Sequence, residues 1–118
     1  MRDFENWLDN IIEAGISPEI IAVNFNLYED ENNSWSIEFV GTDSFDADDS
    51  DWACAEVFVT RDAPLSWIQE TSWETILAAV INDINTYLNF GKYAEKLKSY
   101  AGIGVGFVDG DISIIYQK

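Results

Sequence analysis

Two periodicities alternate along this chain. In residues 3–14, Phe4, Trp7, Leu8, Ile11 and Ile12 recur at helical spacing and share one face. Asp3 is placed to cap that helix, and Gly15 to follow its last residue. Pro18, which has no backbone N–H, opens the next segment. Over residues 20–29 the period drops to two. Ile21, Val23, Phe25 and Leu27 point one way and Ala22, Asn24, Asn26 and Tyr28 the other, the pattern of a strand with one buried face. A polar turn over 29–33 leads to Trp35, Ile37 and Phe39 alternating with Ser36, Glu38 and Val40, which predicts a hairpin.

Residues 41–51 read as an acidic loop. The stretch 52–60 (WACAEVFVT) has no clear polar face and predicts a central strand covered on both sides, with Cys54 buried in it. Residues 61–69 contain Pro64 and read as a connection, with Trp67 and Ile68 docked on the core. Thr71 and Glu74 have the spacing of a capping box. After them Trp73, Ile76, Leu77, Val80, Ile81, Ile84, Tyr87 and Leu88 form one long apolar stripe. Gly91 ends or kinks that helix, and residues 92–99 continue as a short second one.

Asp109-Gly110 predicts a two-residue hairpin turn in which both residues take positive φ. Its register pairs Phe107 with Ile112, Val105 with Ile114 and Ile103 with Tyr116. Gly104 and Gly106 then share the other face, inviting close approach by a helix, or by a ligand or partner backbone. The expected fold is one α+β domain over 1–118, in the order α-β-β-β-α-β-β. Its five-stranded sheet is antiparallel or mixed and carries two main helices.

Charge adds what the pattern does not. The 118 residues hold 6 Lys and Arg against 22 Asp and Glu, a net charge of −16, with no histidine and one cysteine. Residues 1–60 hold fifteen acids and one base, and residues 61–118 seven acids and five bases. A surface this acidic opposes direct nucleic-acid binding through phosphate. It also leaves no imidazole for proton transfer or metal ligation, and one cysteine makes neither an internal disulfide nor a cysteine zinc site. Hydrophobic residues are 47% of the chain and include five Trp, five Tyr and seven Phe, a composition for a packed core rather than a disordered acidic tail. Residues 1–10 carry three acids and one base, unlike a secretory leader, so the expected location is the cytoplasm.

The densest chemistry is the run Asp43, Asp46, Asp48, Asp49 and Asp51, five aspartates in nine residues. As a calcium loop starting at Asp46 it places Asp51 where glycine is required and Val57 where glutamate is required. No metal or other cofactor is therefore expected. Carboxylate pairs alone, without histidine or a phosphate-binding glycine loop, do not indicate an enzyme. The aspartates fit better as a patch for a basic protein, with Trp52 beside them as an aromatic anchor. A second acidic turn holds Glu29, Asp30 and Glu31. The two loops follow opposite ends of one strand, so the 43–51 loop ranks first as the contact surface.

Small size, strong acidity and five tryptophans together resemble the bacterial immunity proteins that neutralise polymorphic or contact-dependent toxins. The resemblance covers the character of the whole chain and transfers no individual residues. It implies a cognate basic toxin domain, of the nuclease type, bound through the acidic surface. The alternatives are a nucleic-acid-mimicking inhibitor of a DNA-binding or restriction protein, and a non-catalytic acidic binding domain whose charge serves solubility.

Overall fold

A computed structural model describes residues 3–118, and Met1 and Arg2 lie outside the described residues. Helix α1 spans Phe4–Ala14, with the Asp3 side chain accepting from the Asn6 amide and Gly15 ending it at φ 101°. Strands β1 (Ala22–Glu29) and β2 (Ser34–Thr42) form the expected hairpin, with Phe25 opposite Phe39 and Leu27 opposite Ile37. Its turn places Asn32 and Asn33 at φ 59°, a left-handed conformation that asparagine tolerates. The period-two alternation holds from Ala22 onward, but the expectation of one buried face does not: Ala22, Asn24, Ser36, Glu38, Val40 and Thr42 on the second face are buried as well. Ile21 precedes the strand and is exposed.

Residues 52–60 do not form a central strand. Ser50–Cys54 is a turn of 3-10 helix, and only Glu56–Val59 is extended, as the short strand β3. β3 pairs with β2 at Val40–Thr42. A further strand, β4 (Leu65–Ile68), pairs with the same edge of β2 at Ser34–Ile37. The two are halves of an interrupted edge strand, separated by a turn in which the Ala63 amide donates to the Thr60 carbonyl. Pro64, without an N–H, sits at this interruption, where edge strands accept proline. Trp67 on β4 is buried, whereas Ile68 points outward and is 75% exposed. Cys54 is exposed, not buried. Short apolar segments carry no period long enough to separate a 3-10 turn, an edge strand and a buried strand.

Helix α2 spans Trp73–Phe90 and a short helix α3 spans Ala94–Lys98. The cap of α2 is Ser72, whose Oγ accepts from the Thr75 amide, one residue beyond the expected Thr71. Strands β5 (Gly102–Phe107) and β6 (Ser113–Gln117) close the chain. β5 lies parallel to β1, with Phe25 beside Val105, and β6 lies antiparallel to β5. The sheet is therefore mixed and six-stranded, in the order β3-β2-β1-β5-β6 with β4 also on β2. The C-terminal turn differs from the expected one. The Gly110 amide donates to the Phe107 carbonyl, so Val108 and Asp109 occupy its centre, and neither Asp109 nor Gly110 has positive φ. An irregularity at Ile103/Gly104 follows from this. Ile103 pairs with Tyr116 as expected, but Val105 pairs with Ser113 instead of Ile114.

All three helices cover one face of the sheet. Phe4, Leu8 and Ile12 of α1, Ile76, Val80, Ile84 and Tyr87 of α2, and Leu97 of α3 share a core with Val23, Phe25, Leu27, Trp35, Ile37, Phe39, Ile103 and Val105. The Tyr87 hydroxyl donates to Asp9 and accepts from the Tyr93 amide, tying α1 to the end of α2. Burial and the neighbouring Asp9 carboxylate raise the Tyr87 phenol well above its ordinary range. Among the described residues no helix is long and apolar enough to cross a membrane.

The glycine face of β5 is covered by Phe45, by Trp52 of the 3-10 turn and by the 111–112 segment, not by an α-helix. A Cβ on Gly102 would meet the Phe45 ring, and one on Gly104 would meet Asn24, Ile112 and Trp52. On Gly106 it would lie 2.3 Å from the Asp111 carbonyl oxygen, a backbone atom that cannot swing away. Gly106→Ala is expected to lower stability by about 1–3 kcal/mol, the usual cost of overpacking. A thermal melt matching the parent chain would refute this reading of the contact. Tyr87 supplies a second test. Its raised pKa favours folding while the phenol stays protonated, and that advantage fades as pH climbs past the unfolded value of about 10. Tyr87→Phe should therefore flatten the fall of stability above that pH, as read by urea unfolding across an alkaline series.

Candidate functional site

The second face of the sheet is polar because β1 and β2 alternate. Asn24, Asn26 and Tyr28 on β1 stand beside Ser36 and Glu38 on β2, away from the helices. Glu38 is 1% exposed and sits at the centre of this group. Its Oε1 accepts from the Tyr28 hydroxyl at 2.6 Å and from Asn26 Nδ2 at 3.3 Å. Arg61, from the turn after β3, lays its Nε 2.7 Å from Glu38 Oε2 and a terminal nitrogen 2.7 Å from Glu56 Oε2. The Arg61–Glu38 contact is an ion pair without an aligned hydrogen bond, so Oε2 is compensated mainly by charge. Burial and the Glu38 carboxylate raise the Tyr28 phenol, while Glu56 holds the Arg61 guanidinium firmly protonated. One cation thus bridges a buried carboxylate and a surface one.

The acidic loop joins this face at the end where β2 finishes. Asp43, Asp46, Asp48, Asp49 and Asp51 are all exposed. The loop has its own scaffold. The Asp48 amide donates to Asp46 Oδ1, the Asp51 amide donates to Asp49 Oδ1, and the Asp43 amide donates to the Ala55 carbonyl. Phe45 and Trp52 meet edge-on with ring centroids 5.1 Å apart, over Gly102 and Gly104. Trp52 is 3% exposed, so it anchors the loop to the sheet and presents no ring to a partner in this conformation. Its Nε1 and the nearby Asn24 Oδ1 are buried without a protein partner among the described residues. The acids beside Trp52 in sequence suggest an interface anchor, whereas the ring packs inward. Only the glycines on β5, distant in sequence, reveal where it packs.

Glu29, Asp30 and Glu31 lie at the other end of the sheet, at the β1–β2 turn. The structure therefore divides the nine sequence-selected residues into two groups that do not touch one surface together. Asp30 is held by Ser36 Oγ, which donates to its carboxylate at 2.7 Å. Sequence reasoning missed the partners of this second group. Asp109 and Asp111, in the turn after β5, border a cleft of about 700 Å³ shared with Glu29 and Asp30. The signal was present, since two acids flank Gly110, but the parallel pairing that brings this turn beside Glu29 was not readable. Among the described residues no group of three or more Asp, Glu or Cys side chains is arranged to hold a metal ion.

The Arg61 bridge can be tested directly. Arg61→Met leaves Glu38 buried with only Tyr28 and Asn26 as donors, and the expected cost is about 1–3 kcal/mol. Adding Glu38→Gln should restore part of that loss. Urea unfolding of both variants decides it, and a fully stable single variant would mean that water already serves Glu38. Comparison with known proteins gives no relative to reason from: no family model matches the chain, and neither a curated protein nor a solved structure matches it significantly.

Proposed function

We propose that this protein is an acidic inhibitor of a basic protein, acting as an immunity protein that neutralises a nuclease-type toxin domain. The observation that carries the reading is the exposed 43–51 loop. Its five carboxylates have no cationic partner among the described residues, yet the loop is fastened by turn hydrogen bonds and by half-buried Phe45 packed on buried Trp52. Self-repulsion in a chain of charge −16 works against the compact state. A preorganised acidic loop offsets that cost in binding, because less ordering remains to be done when the partner arrives.

The physics of the encounter is specific. A nuclease presents Lys and Arg to phosphate, and the same field attracts the loop. Steering of this kind raises association rates toward ~10⁸–10⁹ M⁻¹s⁻¹ at low salt. A long, regular row of carboxylates would suit a mimic of nucleic acid. Here the principal extents are 36 × 30 × 26 Å and the nine residues selected from sequence, eight acids and Trp52, gather at two ends of the sheet, which favours local patches.

The test begins with low-salt capture from the source cells, using the purified chain as bait. A single stoichiometric basic protein, toxic when expressed alone and harmless when co-expressed with this chain, is the expected result. Changing all five loop aspartates to Asn keeps the Oδ1 acceptors of the turns while removing the charge. Association should then slow at least tenfold at low salt and lose most of its salt dependence, with dissociation little altered. Unchanged stopped-flow kinetics would overturn the role of the loop. A scatter of basic proteins would favour the acidic binding domain.

A further inference from the structure

We infer that the cleft at the carboxyl ends of β1 and β5 is a receptor for an arginine-bearing segment of a basic partner. The inference rests on the proposal that the partner is basic, and adds a second contact surface with its own chemistry. The floor of the cleft is aromatic and aliphatic. Trp73 and Phe107 meet edge-on, with centroids 6.0 Å apart and planes at 87°, and Leu77 and Val108 extend the apolar surface. Trp73 is 50% and Val108 54% exposed, so this surface stands open to water. The stripe of α2 would bury Trp73 if the core reached that far. Instead Trp73 is half exposed against Phe107, and the helix first enters the buried core at Ile76.

The rim is anionic throughout. Glu29 and Asp30 stand on one side and Asp109 and Asp111 on the other, and no Lys or Arg lines the cleft. Ser36 holds the Asp30 carboxylate, and the 107–110 turn fixes the chain between Phe107 and Gly110. An aromatic floor inside a carboxylate rim selects a cation that is flat and weakly hydrated. Guanidinium stacks on indole and pairs with carboxylates two bonds at a time, whereas ammonium stays a hydrated point charge. The volume, about 700 Å³, suits a short segment and exceeds the needs of one ion. Tryptophan and arginine are also the residues on which interface energies concentrate.

The 43–51 loop lies at the opposite end of the sheet, so the two surfaces can be tested apart. The probe is a blocked Gly-Arg-Gly peptide titrated into the full, isotope-labelled chain at low salt, followed by amide and indole NMR shifts. Saturable shifts are expected at the Trp73 indole N–H, Phe107, Asp109 and Gly110. The citrulline peptide, of the same shape without charge, should bind at least tenfold more weakly, and the lysine peptide should rank between them. Trp73→Ala and the pair Asp109→Asn/Asp111→Asn should each weaken the arginine peptide at least fivefold, with unchanged dispersion elsewhere showing that the fold is intact. Equal binding of the citrulline peptide, shifts confined to 43–51, or no saturable shift would each overturn the cleft proposal. With the captured partner, loss of affinity in the loop variant but not in the Trp73 variant would reject the cleft alone. The converse result would reject the loop and keep the basic partner.

Discussion

The parallel pairing of β5 with β1 is the constraint on which the rest of the molecule depends. It sets two strands, separated by more than seventy residues, side by side at the centre of the sheet with Phe25 next to Val105. Parallel neighbours require a long crossover, and α2 with α3 supplies it across one face. That face becomes the apolar core. The opposite face carries the polar side chains of β1 and β2 with Ala22 and Val40 buried among them, together with the bare glycine track of β5. The track lets Phe45 and Trp52 descend onto the sheet and lets the 110–112 segment return across Gly106. The same pairing aligns the ends of β1 and β5, so the β1–β2 turn and the turn after β5 meet around the cleft.

Charge is distributed around this frame in two distinct ways. Where a carboxylate is buried, it is compensated, as Glu38 is by Tyr28, Asn26 and Arg61. Most of the acids stay in water, where their attraction to distant cations is screened beyond roughly 8–10 Å at physiological salt. The described ion pairs use Arg61, Lys92 and Lys98. Lys92 sits against Glu13, where its ammonium and the Tyr93 hydroxyl hold the Glu13 carboxyl below its ordinary range. Such exposed pairs contribute little to stability. The fold is held by its aromatic core and sheet rather than by surface charge pairs.

Local signals were readable where a single segment sets its own environment. The period-two pattern of residues 22–28 and 35–39 identified the hairpin, and the stripe from Ile76 to Leu88 identified the long helix. Asp3 and Gly15 marked the ends of α1 for local steric and hydrogen-bonding reasons. The departures from expectation have separate local causes. At Thr71 and Ser72 two adjacent residues offer equivalent caps, and the helix uses Ser72, three residues before Thr75 and four before Ile76, its first buried residue. At Val108–Gly110 the chain is held to β1, where Phe107 pairs with Leu27 and the Val108 amide donates to the Leu27 carbonyl, a contact that the local preference of Asp-Gly does not include. At residues 52–68 each apolar run was too short to show a period.

The sequence by itself determined the acidity, the alternation that divides β1 and β2 into an apolar and a polar side, and the presence of two major helices. Those properties depend on neighbours a few residues apart. Tertiary structure decided that Trp52 is buried, that Cys54 is exposed, and that β3 and β4 share one edge of β2. It also decided that Asp109 and Asp111 join Glu29 and Asp30 around one cleft while Asp43 to Asp51 gather at the far end. The physical reason is that strand order and face assignment are set by the free energy of burying the whole apolar surface at once. No window of the chain contains that sum, and the sites on this protein are built from it.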